Sequence, residues 1–389
     1  SGSHAPQLIH SSVIIIAIVV ILFRNFAVAK IKPKHIITKP SMELQQRVDA
    51  FVKLGDFLSQ FKVSPKATDI DSALVDGFKH QLKLAKEHNG WFSKNNLDFA
   101  LQSWTDCLSE DNLNQWTSHY DFKIKAPKTV AIIMAGNIPL VGFHDFLSVL
   151  ISGHSVLVKQ SSNDKQLLPY LAKYLEHVEP GFKGNIKFTE EKLDGFDAVI
   201  ATGSNNTALY FEYYFKDQPS IIRKNRNSVA ILTGNETDAQ LSGLSDDIFR
   251  YYGLGCRNVS KLYVPEDYNF DAFFNAVYKW KDIINESKYA NNYDYNKAVY
   301  IMSEFDMLEN GFLMIKEDQS FGSPIATVFY EKYKDLEALK ATLKSEEDNI
   351  QCIVADGFST SEIAFGQTQE PKLCDYADNV DTVDFLLTL

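Results

Sequence analysis

Short unbroken apolar runs, alternating with helical stretches, constrain this chain most. Thr129-Val130-Ala131-Ile132-Ile133-Met134 is apolar at successive positions rather than at every second one, so a strand there must be covered on both faces. A helix follows to about Ser152, Gly153-His154 ends it, and Ser155-Val156-Leu157-Val158-Lys159 is a second such run. Residues 167–177 have helical spacing, while Ile186-Lys187-Phe188 and Ala198-Val199-Ile200-Ala201 are further strands. This alternation calls for a parallel α/β sheet. Upstream the spacing is helical throughout: Val48, Phe51, Val52, Leu54, Phe57, Leu58 and Phe61, then helices over residues 72–88 and 95–107, with Asn89-Gly90 as a break.

At 389 residues the chain exceeds one simple core and is expected to divide. The expected parts are residues 1–41, a part over 42–232 that opens with a helical N-terminal segment, and a part over 233–389. The opening Ser-Gly-Ser-His has the look of a cloning scar, and residues 13–23 form an apolar run of 11 residues, VIIIAIVVILF, closed by Arg24. A spanning helix needs roughly 20 such residues. Residues 1–41 are therefore read as a scar plus a non-native or upstream extension, with a membrane anchor over 13–29 as the alternative. Net charge is −11 with no basic block, which argues against a nucleic-acid partner. Four scattered cysteines make neither a disulfide framework nor a zinc site, and point to a reducing cytoplasmic compartment. The nine histidines show no clustered arrangement, so no metal site is expected.

One cysteine stands apart. Cys256 ends Tyr251-Tyr252-Gly253-Leu254-Gly255-Cys256, where two glycines mark a tight turn between a helix and the strand Lys261-Leu262-Tyr263-Val264-Pro265. Such a turn presents a thiol rather than packing it. Cys107 and Cys352 sit in apolar patterns as packing residues, and Cys374 is a candidate exposed thiol. Two strand ends, Lys159-Gln160-Ser161-Ser162 and Thr202-Gly203-Ser204-Asn205-Asn206, offer a cation and helix-start amides where a pyrophosphate could sit. Aromatic residues 210–215 are expected in helix core, and the Tyr/Asn-rich residues 289–300 in an exposed loop and helix start.

With these residues in order, the chain resembles the aldehyde dehydrogenase superfamily, and within it the acyl-CoA reductases of the bioluminescence type. The resemblance covers residues 129–324, with residues 365–386 also similar. Gly136-Asn137-Ile138-Pro139 resembles the family's Trp-Asn-Phe-Pro turn, which makes Asn137 the implied oxyanion donor. Val156-Leu157-Val158-Lys159 resembles the strand whose lysine holds the cofactor ribose. Ala201-Thr202-Gly203-Ser204 resembles the Phe-Thr-Gly-Ser element beside the nicotinamide. Gly253-Leu254-Gly255-Cys256 resembles the segment around the nucleophile, and Gln319-Ser320-Phe321-Gly322 the Glu-x-Phe-Gly element on the nicotinamide ribose. The implied fold is a Rossmann-type cofactor domain plus an α/β catalytic domain. The resemblance thus makes residues 42–232 the helical N-terminal segment with the NAD(P)-binding domain, and residues 233–389 the catalytic domain.

The departures refine what the resemblance implies. Aldehyde-oxidising members carry a water-activating glutamate in Glu-Leu-Gly-Gly-Lys. With Arg226 on that lysine, Ile222 takes the glutamate's place; shifted by one, Arg223 does. The nearest acids in sequence, Asp217 and Glu236, lie outside the motif. The implied reaction is then NAD(P)H-dependent reduction of an acyl-CoA to an aldehyde through a thioacyl-enzyme on Cys256, with Arg250 or Arg257 as cations for the thiolate. Ser162 replaces a ribose-binding glutamate, which admits NADPH, with NADH as the other cofactor. Three other readings stay open: an acyl-phosphate reductase of the glutamyl-phosphate reductase kind, an aldehyde-oxidising enzyme, and a catalytically silent binding subunit. A homo-oligomer is the expected assembly of a superfamily member.

Overall fold

The first apolar stripe folds as expected: Val48, Phe51, Leu54, Phe57 and Leu58 are buried along one face of α1 (Leu44–Leu58), which opens with a capping box between Glu43 and Gln46. The computed structural model describes residues 42–62, 69–124 and 126–389. The segment read as scar or anchor, 1–41, lies outside the described residues. Met42–Leu389 form one unit, and among the described residues no helix is long and apolar enough to cross a membrane. α2 (Ser72–His88), α3 (Lys94–Cys107) and α4 (Glu110–Thr117) are N-capped by Asp71, Ser93 and Ser109.

The sheet then follows: β1 (Thr129–Ile133), α5 (Phe143–Ile151), β2 (Ser155–Lys159), α6 (Leu167–Val178), β3 (Ile186–Phe188), β4 (Ala198–Thr202), α7 (Asn205–Tyr214) and β5 (Ser220–Arg223). The five strands are parallel in the order β3-β2-β1-β4-β5. Val130, Ala131 and Ile132, and all of Ala198 to Ala201, are buried, as runs covered on both faces must be.

The second half comprises β6 (Asn227–Ile231), α8 (Asp238–Phe249), β7 (Val259–Pro265), α9 (Asp271–Val277), α10 (Ser287–Met302), β8 (Met307–Glu309), β9 (Met314–Glu317), β10 (Thr327–Tyr333), α11 (Leu336–Ser345), β11 (Ile350–Val354) and α12 (Thr382–Leu387). Its sheet runs β11-β6-β7-β10-β9-β8, parallel except where β8 meets β9. Two features cross the division drawn at residue 232. β6 belongs to the second sheet, and residues after 370 return to the first core, where Leu373, Tyr376, Val383 and Leu386 are buried.

That return is fixed by polar bonds. Trp116 Nε1 donates to the Tyr376 hydroxyl at 2.7 Å, and the Tyr120 hydroxyl donates to Asp381 at 2.7 Å. His144 and His154 reach the carbonyls of Leu373 and Leu386, each at 2.9 Å. Asp247, fully buried on α8, accepts from Gly366 N at 2.6 Å and from Thr368 N and Oγ1 at 3.0 and 2.8 Å. The backbones there touch: a Cβ on Gly243 would lie 2.8 Å from the Phe365 carbonyl oxygen, so only glycine fits.

One expectation fails and another holds only in part. Residues 289–300 are not an exposed loop and helix start but the body of α10, with Tyr289, Tyr293, Asn296 and Tyr300 buried. Their four- and three-residue spacing was a helix-face signal hidden by polar composition. Residues 210–215 form helix core only in part: Phe211 and the C-cap Phe215 pack on the sheet with Ala208, while Tyr210, Tyr213 and Tyr214 are 65%, 70% and 68% exposed.

Replacing Asp247 by Ala leaves three donors facing an empty site and should cost about 2–3 kcal/mol. Urea unfolding monitored by circular dichroism measures this, and an unchanged midpoint contradicts the anchoring role.

Candidate active site

Cys256 follows a 3-10 turn, Arg250–Gly253, at the end of α8. Tyr251, Tyr252 and Gly253 all have left-handed backbones, with φ of 54°, 60° and 75°. Two tyrosines in that region cost roughly 1–2 kcal/mol each. Burial of both rings offsets part of this, with Tyr251 edge-on to Phe99 and Tyr252 tilted on Trp91. The rest is held by one side chain that sequence reasoning passed over, the buried Asn258. Its Nδ2 donates to the carbonyls of Asp247 and Arg250 at 2.9 and 2.8 Å, while its Oδ1 accepts from Gly255 N at 2.8 Å. Asn258 thus sets the loop on both sides of the turn. The only signal in the sequence was an asparagine two residues past the cysteine.

The Cys256 thiol is free and exposed. Its carbonyl accepts from the buried Ser228 hydroxyl on β6 at 2.9 Å, and among the described residues its own N–H meets no acceptor. Although the residue opens to solvent, surrounding protein desolvates the sulfur. Desolvation and then Cys352 push the thiol up to about 11, against Arg257 and Arg223, which lower it, with Asp378 adding to the rise. The resting sulfur is therefore a thiol at neutral pH.

Asn137 reaches this loop from the turn after β1. Its Nδ2 donates to the Leu254 carbonyl at 2.6 Å, and its Oδ1 is buried without a partner among the described residues. The side chain of Ile138 lies near Gly255, 3.7 Å from where a Cβ would stand. The turn after β1 and the cysteine loop are thus one packed arrangement.

Of the arginines read as cations, only Arg257 acts on the thiol, while its Nε donates to the Thr368 carbonyl at 2.6 Å. Arg250 lies instead over the rings of Phe99 and Trp280, 4.2 and 5.1 Å from their centroids. Arg223 ends β5, buried, and bonds Asp145 and, at 3.0 Å, the Thr382 hydroxyl. Burial opposes its charge, but Asp145 outweighs burial and its pKa rises. Asp378, from the returning C-terminal segment, is an acid whose charge reaches Cys256, and neither Asp217 nor Glu236 does. It sits 3.4 Å from Arg226 Nε at a left-handed backbone position (φ 59°), and burial raises its pKa against the pull of Arg226 and Arg223.

The cofactor candidates occupy two places. Parallel register sets Ile133 between Lys159 and Ala201, and Thr202 beside Arg223, so these strand ends share one edge of the first sheet. On one side of β1, Lys159 Nζ donates to the Glu191 carbonyl at 3.0 Å, with Ser162 exposed in the loop beyond. On the other, Thr202 and Gly203 lead into α7, which Ser204 caps by accepting from Thr207 N. A lysine and a helix start bracketing one strand end fit an anionic dinucleotide. Gln319 and Phe321 lie on the second sheet, after β9. Their backbone is hung from β7: Lys261 Nζ donates to the Gln319 carbonyl at 2.7 Å and Ser260 Oγ to the Phe321 carbonyl at 2.7 Å. Among the described residues no cluster of three or more His, Cys, Asp or Glu could hold a metal ion.

A parallel sheet whose strand ends gather a lysine and a helix start, followed by a second sheet that presents a free thiol on a strained turn, fits an aldehyde-dehydrogenase-like fold. Solved structures agree on the fold. Aldehyde dehydrogenase 21 of Physcomitrella patens, in complex with its reaction product succinate, superimposes with a TM-score of 0.62 at 13% identity, covering 90% of this chain and 84% of that one. The NAD+ complex of an aldehyde dehydrogenase from Bacillus cereus gives 0.55 at 14% identity over 81% and 72%. Within this class, the family model for acyl-CoA reductase (LuxC) matches residues 41–323, and the chain belongs to that family. It is 24% identical over 231 residues to the long-chain acyl-protein thioester reductase of Aliivibrio fischeri, covering 53% of this chain and 47% of that protein. The chain spans about half the length of the curated relatives it matches.

With the thiol raised to about 11, alkylation of Cys256 by iodoacetamide should rise about tenfold per pH unit from pH 7 to 10. Mass spectrometry of the modified peptide measures it, and a plateau below pH 8 contradicts the desolvated thiol. Asn258→Ala should lower stability by about 2 kcal/mol, from the donor and acceptors it leaves unpaired. Thermal unfolding checks this.

Proposed function

We propose that this chain reduces a fatty acyl thioester to the aldehyde, with NADPH or NADH as reductant, through a thioacyl-enzyme on Cys256. The observation that supports it best is the pairing of an accessible thiol with Asn137 at the cysteine loop, while β5 ends in Ile222 and a buried Arg223 instead of a carboxylate. Attack by the Cys256 sulfur on the thioester carbonyl releases the donor thiol, which takes up the proton that Cys256 gives to solvent. The unengaged N–H of Cys256 and the Asn137 amide are the donors for the oxyanion, each such donor worth roughly 3 kcal/mol of barrier. Neither Ile222 nor Arg223 can activate water. Asp378 is committed to Arg226, so the thioacyl group is spared hydrolysis.

Lys159, Thr202, Gly203 and Ser204 would hold the nicotinamide cofactor at the first sheet, with Gln319 and Phe321 on its ribose side. When bound, it supplies the hydride. The absence of a carboxylate at Ser162 leaves room for a 2′-phosphate, which favours NADPH. The donor is acyl-CoA in the first instance. A second donor, an acylated protein, is favoured by the name of the Aliivibrio fischeri relative. Four free cysteines fit a reducing cytoplasm.

The test is oxidation of NADPH and NADH with acyl-CoAs from acetyl to palmitoyl and with acylated carrier protein, in wild type and Cys256→Ala. Aldehyde release should vanish in Cys256→Ala and fall about 100-fold in kcat in Asn137→Ala. Full turnover in Cys256→Ala would sink the thioacyl route.

A further inference from the structure

One open cavity among the described residues does not include Cys256. It is an open cleft of about 520 Å³ beside the turn that leads to the thiol, and shares Phe249, Arg250 and Tyr252 with that turn. Its size is that of a small-molecule site. It is also lined by Ser93, Asn95 and Asn96 at the start of α3, and by Lys279 and Trp280.

Its chemistry is specific. Arg250 lies over the rings of Phe99 and Trp280, its Nε is buried without a partner, and its guanidinium makes no ion pair among the described residues. The other basic group, Lys279, is taken by Asp246 at 2.8 Å, and Asp246 is also held by Trp280 Nε1 at 3.0 Å. Asp282 and Glu286 are exposed at the edge. Arg250 is therefore the cation of this cleft without an ion pair among the described residues. Beside it stand the amides of Asn95 and Asn96 and the Ser93 hydroxyl, with aromatic rings and the carboxylates Asp246, Asp282 and Glu286 also in the lining. That lining suits neither an acyl chain, which needs continuous apolar wall, nor a bare polyanion. It suits a slender amide-bearing ligand that carries a phosphate.

The cleft also lies within reach of the thiol. Asn258 bonds the Arg250 carbonyl through Nδ2 and the Gly255 N–H through Oδ1, each at 2.8 Å. Both bonds end on one amide, so those two backbone groups lie within about 8 Å of each other.

We propose that this cleft receives the phosphopantetheine arm of the thioester donor, with Arg250 on its phosphate, the amides of Asn95 and Asn96 on its amide groups, and its sulfur end directed to Cys256. Coenzyme A and carrier proteins share that arm. The inference rests on the thioester reading above.

The test compares Cys256 acylation by one acyl group on three donors: CoA, carrier protein, and N-acetylcysteamine, which lacks the phosphate and most of the arm. Acylation is followed by intact-protein mass. Wild type should favour the full-arm donors at least tenfold in kcat/KM over the truncated one, and in Arg250→Gln that ratio should collapse toward one. Asn95→Trp, at an exposed helix position, should fill the cleft and give the same collapse, which keeps the test open should Arg250→Gln fail to fold. Collapse for both full-arm donors supports the shared arm as ligand. Collapse for one supports the site and identifies its source. An unchanged ratio in both variants overturns the assignment while leaving the reductase reading intact. No acylation of wild type by any of the three donors would overturn both.

Discussion

The cysteine loop depends on a backbone that runs left-handed for three residues shortly before Cys256, the proposed nucleophile. Left alone, Tyr251 and Tyr252 would relax from that conformation, and the glycine alone could not hold it. Asn258 supplies the constraint, since its amide is donor to the residues before the turn and acceptor for the one before Cys256. Because Asp247 bonds Asn258 through its carbonyl and the returning C-terminal segment through its carboxylate, the loop is tied to a stretch of chain more than 100 residues away. The thiol's position is a property of the tertiary structure rather than of its own turn.

The same long-range return shapes the electrostatics. Thr368 takes the Arg257 guanidinium, Asp378 faces Arg226, and Thr382 bonds the buried Arg223. Around the sulfur, therefore, cations are already committed to other partners, and desolvation wins, leaving a neutral thiol at physiological pH. In the proposed reaction such a sulfur would be protected from indiscriminate chemistry until an acyl group is bound. If Arg223 stands where aldehyde-oxidising relatives place their base, as the proposal has it, a guanidinium there cannot activate water.

Much of the fold was legible because its signals are local. Short continuous apolar runs mark buried strands, and four of the five strands in the first sheet fell where the pattern put them, β1 and β4 covered on both faces and β2 and β3 only in part. Helical spacing gave residues 72–88 directly. Composition misled where it was read without spacing. The Tyr/Asn-rich stretch forms a regular helix with a buried face, and the aromatic stretch of α7 turns most of its rings to solvent. What covers a face is decided by what packs on it, and that is not written in the face.

For the site, the sequence by itself determined which thiol is presented, which asparagine accompanies it, and which strand ends carry a lysine and a helix start. Short segments with fixed turn chemistry encode those features. Only the tertiary structure decided that Asn258 holds the loop, that Asp378 is an acid in the thiol's field, and that Arg250 faces a cleft while Arg257 is tied to the C-terminal segment. The physical reason is range. Turn and strand propensities act over a few residues, whereas desolvation, ion pairing and hydrogen-bond satisfaction depend on groups that folding brings from the far end of the chain.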